Sequence, residues 1–253
     1  MCSSLSNLTI GKGVTSIGED AFVGCDALES VAIPDNVTTI GEDAFSSCDA
    51  LKSITIGKGV TTIARDAFSG SNKIESVYIT DLTAWCNIDF EESTPNTCYS
   101  NPVYRGKLYV DNKEVVDLVI PNDISTIKKF AFYGCKSIKS LKIHDQVTSI
   151  GKCSFYQCSS LTSVTIGKGV KSMGSNAFSY ASINEFYCGP ATPPELSNSY
   201  YVNNYGTVYD PIYHTFYSGT NKKYGTLYVP FGRKTAYIDK NWSNYFQNIV
   251  EME

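Results

Sequence analysis

The chain has 253 residues, of which 42% are apolar and 18% are charged, so it has enough apolar surface to bury a core. Its 21 Lys and Arg against 25 Asp and Glu give a formal charge of −4, which argues against nucleic acid or an anionic membrane as a partner. No apolar run approaches the ~20 residues of a membrane helix, so we expect a soluble globular protein without membrane insertion. The excess of 21 Ile and 18 Val over 11 Leu predicts that strands dominate.

An internal repeat of 23 residues organises the sequence. The leading apolar residue of each repeat recurs at Leu5, Leu28, Leu51, Ile74, Val115, Ile138, Leu161 and, one residue early, Ile183. Phenylalanine keeps the same register at positions 22, 45, 68, 132, 155 and 178, and cysteine does so at positions 2, 25, 48, 135 and 158. Because one such unit buries little apolar surface alone, the repeat predicts a solenoid in which like packs on like.

Each repeat predicts two short strands and a closing turn. Residues 28–33 alternate apolar and polar side chains, as a strand with one buried face requires. The turn residues 34–36 follow, and the apolar pair Val37 and Ile40 predicts a second short strand. Residues 41–48 place acids before Ala-Phe-x-x-Cys, a spacing that suits one helical turn.

The repeated pattern Leu-x-x-Val-x-Ile-(Pro/Gly)-x-x-Val-Thr-x-Ile-Gly-x-x-Ala-Phe-x-x-Cys resembles the bacterial BspA-like leucine-rich repeat. The resemblance covers residues 1 to about 80 and 115 to about 189, and residues 227–251 resemble the closing unit of that family. It implies an arc-shaped domain of a bacterial cell-surface or secreted protein that serves adhesion or protein binding. We predict an α/β leucine-rich repeat solenoid of about nine coils. The alternative architecture is a parallel β-helix, and helix in the closing turns would favour the leucine-rich repeat.

We predict a single domain over residues 1–253. It comprises regular repeats at 1–79, an insertion with a hairpin at 80–114, regular repeats at 115–189, and a loop with a capping coil at 190–253. We expect the insertion to bulge from one coil, and residues 108–116 to form a hairpin around Asp111-Asn112-Lys113. The last segment is rich in tyrosine, which we interpret as a cap over the terminal coil rather than a ligand platform.

The N-terminus overlays the interior of a later repeat. Residues 1–14 overlay residues 157–170 in the same register. The chain therefore opens inside a repeat, and we expect further repeats, and an export signal, upstream in the parent protein.

The nine cysteines are interpreted as structural thiols. Five of them share one repeat position, where a small apolar side chain packs in a column. Cys86 and Cys98 form the one pair suspected of a disulfide, and the sequence leaves open whether they are joined. No Cys-x-x-Cys occurs and the two histidines are His144 and His214, so we expect neither a metal site nor a cofactor.

The motifs do not assemble an enzyme. Gly-Lys recurs at positions 11, 57 and 167, but in repeat corners and without the full phosphate-loop pattern. A serine hydrolase triad would need His144 or His214, and no Gly-x-Ser-x-Gly motif is present. We predict a protein that is not an enzyme. A hydrolase site in the terminal loop, at His214, is the least favoured alternative.

The candidate function lies on the outer surface of the first strands. Most outward side chains there are small hydroxyls, and Tyr78, Lys142, His144 and Tyr187 are the larger groups that we predict to bind a partner. We expect a monomer whose partner is a protein, either a host matrix protein or another surface protein. The alternative function is a carbohydrate-binding module that uses Trp85 and the C-terminal tyrosines as stacking platforms.

Overall fold

The computed structural model describes residues 2–94, 97–104, 106–197, 199–202, 208–213, 215–217 and 223–253. It divides into two compact units, unit 1 (Met1–Val115 and Phe130–Ser137) and unit 2 (Val116–Lys129 and Ile138–Glu253). The chain is a β-solenoid of about nine coils with mostly strands and few helices, which confirms the predicted fold class. The assignment of residues 1–253 to a single domain stays a prediction.

The described part of unit 1 contains one parallel sheet, one sheet that is parallel except for its last strand, and one short helix. In chain order its elements are β1 (Ser16–Ile17), β2 (Ser30–Ile33), β3 (Thr39–Ile40), β4 (Ser53–Ile56), β5 (Thr62–Ile63), β6 (Ser76–Ile79), α1 (Leu82–Cys86), β7 (Asp89–Phe90), β8 (Lys107–Val110) and β9 (Lys113–Glu114). The first-strand sheet has the order β2-β4-β6-β8-β9, and the second-strand sheet has the order β1-β3-β5-β7. Strand β9 runs antiparallel to β8, so the predicted hairpin at 108–116 is confirmed.

Unit 2 repeats the arrangement. Its elements are β10 (Asp117–Val119), β11 (Thr126–Ile127), β12 (Ser140–Ile143), β13 (Ser149–Ile150), β14 (Ser163–Ile166), β15 (Ser172–Met173), β16 (Glu185–Cys188), β17 (Glu195–Leu196), β18 (Ser199–Val202), β19 (Val208–Tyr213), β20 (Tyr224–Val229), α2 (Lys234–Asp239), a 3-10 helix (Trp242–Asn244) and β21 (Phe246–Glu251). The first-strand sheet has the order β10-β12-β14-β16-β20-β21, and the second-strand sheet has the order β11-β13-β15-β17. None of the helices in the described part of the chain is long and apolar enough to cross a membrane.

The 23-residue period is the register of the parallel strands. In unit 1, Val31 pairs with Ile54 and Ile54 pairs with Val77, and all three side chains are buried. In unit 2, Leu141 pairs with Val164 in the same way. Equivalent residues of successive repeats therefore occupy neighbouring positions, as the sequence pattern predicts.

The phenylalanines of the repeats form stacked columns within each unit. In unit 1, the ring centroids of Phe22 and Phe45 lie 5.1 Å apart, and those of Phe45 and Phe68 lie 5.6 Å apart. In unit 2, the column that contains Phe155 and Phe178 continues to Phe216, which the sequence pattern does not mark. Apart from Phe22, which is half-buried at the end of its column, these phenylalanines are part of the core.

The closing turns differ from the predicted helical turn. Asp20 and Asp43 have φ angles of 55° and 52°, and a right-handed helix cannot contain residues in this left-handed conformation. The Phe22 N–H donates to the Ala44 carbonyl of the next coil at 2.8 Å, instead of bonding within its own turn. The turns are therefore held by hydrogen bonds between coils, and the helix expected in them is absent from the described repeats.

Glycine in the repeat corners allows successive coils to approach closely. A Cβ atom on Gly59 would lie 1.9 Å from the carbonyl oxygen of Asp35 in the preceding coil. At the same corner, the Lys58 N–H donates to the Asp35 carboxylate at 3.0 Å. The recurrent Gly-Lys-Gly segment is therefore a structural corner.

The insertion is part of a coil of unit 1 and does not bulge from it. Asp81 accepts a hydrogen bond from the Ala84 N–H at 2.9 Å and so begins α1, and β7 then pairs with β5. Trp85 packs against Phe90 with ring centroids 5.4 Å apart, and both are buried. The expected bulge is wrong because these apolar side chains fill the interior that the regular repeat would occupy.

Aromatic side chains close the C-terminal end of unit 2. Trp242 is fully buried, with ring centroids 5.2 Å from Tyr237 and 5.6 Å from Phe216. Phe216 also packs against Phe246 at 5.2 Å. The predicted aromatic cap is confirmed.

Candidate functional site

The outer face of the first-strand sheet in unit 2 carries one continuous row of side chains, which we name the outer row. Strand pairing places its six members side by side on consecutive strands, in the order Val119, Lys142, Thr165, Tyr187, Tyr228 and Val250. At the usual spacing between strands, the row spans about 24 Å. Lys142 and Tyr187, two of the predicted binding residues, therefore lie on the same surface.

A stacked tyrosine pair dominates the outer row. The ring centroids of Tyr187 and Tyr228 lie 4.4 Å apart and the rings are nearly parallel, at 8°. Partial removal from water and the carboxylate of Glu185, which accepts a hydrogen bond from the phenol, raise the pKa of Tyr187. The stacked pair therefore presents two phenol hydroxyls side by side on the outer face.

Apolar side chains stand at both ends of the outer row. Val119 is 56% exposed and Val250 is 43% exposed, which are high values for valine in a sheet. The sequence pattern did not single out Val119, Tyr228 or Val250 as binding residues. The missed signal for Tyr228 was Leu227-Tyr228-Val229, which has the alternation of a repeat first strand.

His144 is tied to the neighbouring coil of unit 2. Its Nε2 donates to the Pro121 carbonyl at 2.8 Å, and its Nδ1 accepts from the Gln146 backbone N–H at 3.2 Å. The ring is half-buried. Both ring nitrogens therefore form hydrogen bonds at the corner after β12. A partner would contact the exposed part of the His144 ring.

Tyr78, the fourth predicted binding residue, lies in unit 1. It pairs across the sheet with Thr55 on one side and Tyr109 on the other, and its ring stacks on Tyr109 with centroids 4.9 Å apart. A groove of about 500 Å³ lies beside it. Its described lining is Ser30, Val31, Ala32, Ser53, Thr55, Tyr78, Ile79, Thr80, Asp111 and Asn112.

Three of the residues proposed as sugar platforms from sequence, Trp85, Tyr224 and Tyr237, are buried, and the tyrosine side chains at positions 200–213 lie outside the described ones. Trp85 is 1% exposed, and its indole N–H donates to the Ala131 carbonyl at 2.9 Å. Tyr224 and Tyr237 are also buried, and their hydroxyls donate to the carbonyls of Phe178 and Pro190. Burial raises the pKa of both phenols. The platform role is therefore wrong for these three residues.

Eight of the nine cysteines are buried, Cys2 being the exposed one, and Cys48 forms a hydrogen bond between coils. The structure joins none of the nine cysteines in a disulfide, including the buried Cys86 and Cys98. Cys48 donates through Sγ to the Phe22 carbonyl at 3.2 Å, and burial raises the pKa of its thiol to about 11. The Cys48 thiol is therefore structural and poorly nucleophilic at neutral pH.

The described residues assemble no catalytic chemistry that we recognise. Among them, no three His, Cys, Asp or Glu side chains come together to hold a metal ion. His214, on which the hydrolase alternative depends, lies outside the described residues.

Comparison with known proteins places the repeats in a family. The family model described as "BspA type Leucine rich repeat region" matches residues 1–95 and 107–204 in six copies. No curated protein matches the sequence.

Several solved leucine-rich repeat structures are similar. A leucine-rich repeat protein of T. pallidum is 22% identical, over 61% of this chain and 66% of that chain, with a TM-score of 0.37. One from Bacteroides ovatus is 20% identical, over 100% and 79%, with a TM-score of 0.35. A leucine-rich cell surface protein of Faecalibacterium prausnitzii is 19% identical, over 97% and 67%, with a TM-score of 0.34.

This chain spans slightly less than two thirds of the T. pallidum protein. The identities and TM-scores are too low to carry an argument about function. The family model, in contrast, matches well over half of the chain. The chain belongs to the BspA-type leucine-rich repeat family.

Proposed function

We propose that this chain is a non-catalytic module that binds a protein partner through the outer row, in a bacterial cell-surface or secreted protein. The chain belongs to the BspA-type leucine-rich repeat family, and this membership supports the proposed location at the cell surface. We propose that the module serves adhesion, with a host matrix protein or another surface protein as the partner, and that it acts as a monomer.

The observation that carries this proposal is the composition of the outer row. Tyrosine is favoured at the centre of protein interfaces because it brings a large contact area and loses little conformational entropy on binding. Here Tyr187 and Tyr228 already support each other by stacking, so little ordering remains for the bound state. Val119 and Val250 add apolar contact at the ends.

The charged residues in and beside the outer row favour a protein partner over a nucleic acid. Lys142 is exposed within the row, and Glu185 lies on the same strand as Tyr187, two residues earlier. A nucleic acid would call for a field of one positive sign, whereas this surface carries both signs. The mixture favours a partner with complementary charges of both kinds.

The experiment measures binding of the purified chain to a panel of immobilised host matrix proteins and bacterial surface extracts by biolayer interferometry. For a partner found in the panel, we expect the double variant Tyr187→Ala/Tyr228→Ala to bind at least tenfold more weakly. Phe231→Ala is the matched control, because Phe231 is a 79% exposed aromatic residue of unit 2 outside the row, and this variant should bind normally.

Equal binding by the double variant and the control would refute the outer row as the interface. A screen with ester, peptide and glycoside substrates tests the non-catalytic part of the proposal. Turnover that is lost in His214→Ala would establish the hydrolase alternative instead.

A further inference from the structure

The stacked tyrosines of unit 1 lie next to a row of much smaller side chains. On the outer face of its first-strand sheet, the residues at one register position are Ala32, Thr55, Tyr78 and Tyr109, on consecutive strands. Tyr109 covers one face of the Tyr78 ring at 4.9 Å. On the other side of Tyr78, the neighbouring strands carry the short side chains of Thr55 and then Ala32. An aromatic wall therefore rises beside a floor of small residues.

Polar groups surround this wall. The floor carries the hydroxyls of Ser30, Ser53 and Thr55, each of which can donate and accept hydrogen bonds. The turn between β8 and β9 adds the side chains of Asp111 and Asn112 at the rim. Both turn residues have positive φ, 47° and 61°, as a tight hairpin turn requires, so they are placed by the backbone.

The size and charge of the groove narrow the class of ligand. Its volume of about 500 Å³ is within the range for small-molecule sites. None of the described lining residues is Lys or Arg, and one is a carboxylate, so an anionic ligand is disfavoured. A proline-rich peptide would need paired aromatic ridges, whereas one ring face is available here.

We propose that the groove beside Tyr78 is a binding site for a neutral saccharide. The electron-rich face of an aromatic ring attracts the C–H groups on the apolar face of a sugar ring. The sugar hydroxyls would meet the serine and threonine hydroxyls of the floor and the carboxylate and carboxamide of Asp111 and Asn112. This site is in unit 1 and does not depend on the protein interface proposed for unit 2.

The test titrates the full chain with cellohexaose, mannohexaose, N-acetylchitohexaose and a proline-rich decapeptide by isothermal calorimetry. We expect at least one hexasaccharide to bind, and Tyr78→Ala to weaken that binding about tenfold or more. Saturation-transfer NMR should give its strongest signals on ring C–H protons of one sugar face, as stacking requires. Asp111→Asn/Asn112→Gly keeps a favourable turn and removes the rim groups, and it should also weaken binding severalfold.

Tyr99→Ala is the control, because Tyr99 is an exposed tyrosine of unit 1 outside the groove, and it should bind like the parent chain. Tyr78→Phe keeps the stack and should retain most of the affinity, which separates loss of the ring from misfolding. Absence of saccharide binding, binding of the decapeptide alone, or equal weakening in Tyr99→Ala would each overturn the proposal. None of these results bears on the outer row, because its test measures protein capture through Tyr187 and Tyr228.

Discussion

Replacing Phe45 by alanine tests whether the phenylalanine column stabilises unit 1. Phe45 is fully buried and stacks on a ring at each side, with centroids 5.1 and 5.6 Å away. Phe22, at the end of the same column, is half-buried and stacks on one described ring. The two sites therefore compare one interaction in the middle and at the end of a column.

The expected destabilisation follows from these contacts. Removing a fully buried phenylalanine costs about 3–5 kcal/mol, and each aromatic pair adds about 0.5–1.5 kcal/mol beyond the buried area. Phe45→Ala loses two aromatic pairs, so its free energy of unfolding should be lower than that of the parent chain by about 5 kcal/mol. Phe22→Ala loses one aromatic pair and less buried area, so its free energy of unfolding should fall by about 2 kcal/mol.

The assay is urea unfolding followed by far-UV circular dichroism, with the free energy of unfolding from linear extrapolation. Phe45→Leu is the control, since it keeps most of the apolar volume and should lose less than half as much stability as Phe45→Ala. If Phe22→Ala destabilised the chain as much as Phe45→Ala, the column would not be the source of the effect.

Three further predictions concern a corner, the C-terminal cap and the thiols. Gly59→Ala should destabilise the chain by about 1–3 kcal/mol, because the added Cβ would collide with the preceding coil. Gly13→Ala is the control and should be neutral or slightly stabilising, because nothing lies within 4 Å of its added Cβ. Equal shifts of the melting temperature in the two variants would contradict this prediction. The Glu251 carboxylate accepts backbone hydrogen bonds near the start of α2, which lower its pKa below 4.5. Its stabilising effect is therefore present above the unfolded pKa and lost as the pH falls through the folded pKa, so the stability difference between the parent chain and Glu251→Gln should be full at pH 7 and shrink as the pH falls through that folded pKa. Iodoacetamide at pH 8 should label the exposed Cys2 in the native chain but label Cys48 only in urea, because burial raises the pKa of Cys48 to about 11. The labelled cysteines are identified by peptide mass mapping. Rapid labelling of Cys48 in the native chain would contradict its burial.

Much of the candidate site was accessible from the sequence. Alternation in the first strands placed Tyr78, Lys142 and Tyr187 on the outer face, and strand pairing puts all three there. Tyr109 was missed as the stacking partner of Tyr78, since it lies 31 residues further along and breaks the 23-residue step. Within a regular period the neighbour of a residue is known, but at an insertion it is not.

The closing turns and the insertion show where local patterns failed. The spacing Ala44-Phe45-x-x-Cys48 is compatible with a helical turn, yet the left-handed Asp43 and the hydrogen bonds to the next coil exclude helix. Trp85, interpreted as an exposed platform, is buried where α1 packs into the coil. In both cases the deciding contacts are made with another coil, and no local window of sequence contains them.

The sequence by itself determined the period, the inward positions and the parallel register, because residues 23 apart must share an environment when identical units stack. Tertiary structure alone decided how the tyrosines meet, which turn completes the groove at Tyr78, and which aromatic residues of the last segment are core. Those outcomes depend on distances between residues that are not separated by the 23-residue period. Such distances are set by packing of the whole unit rather than by local preference.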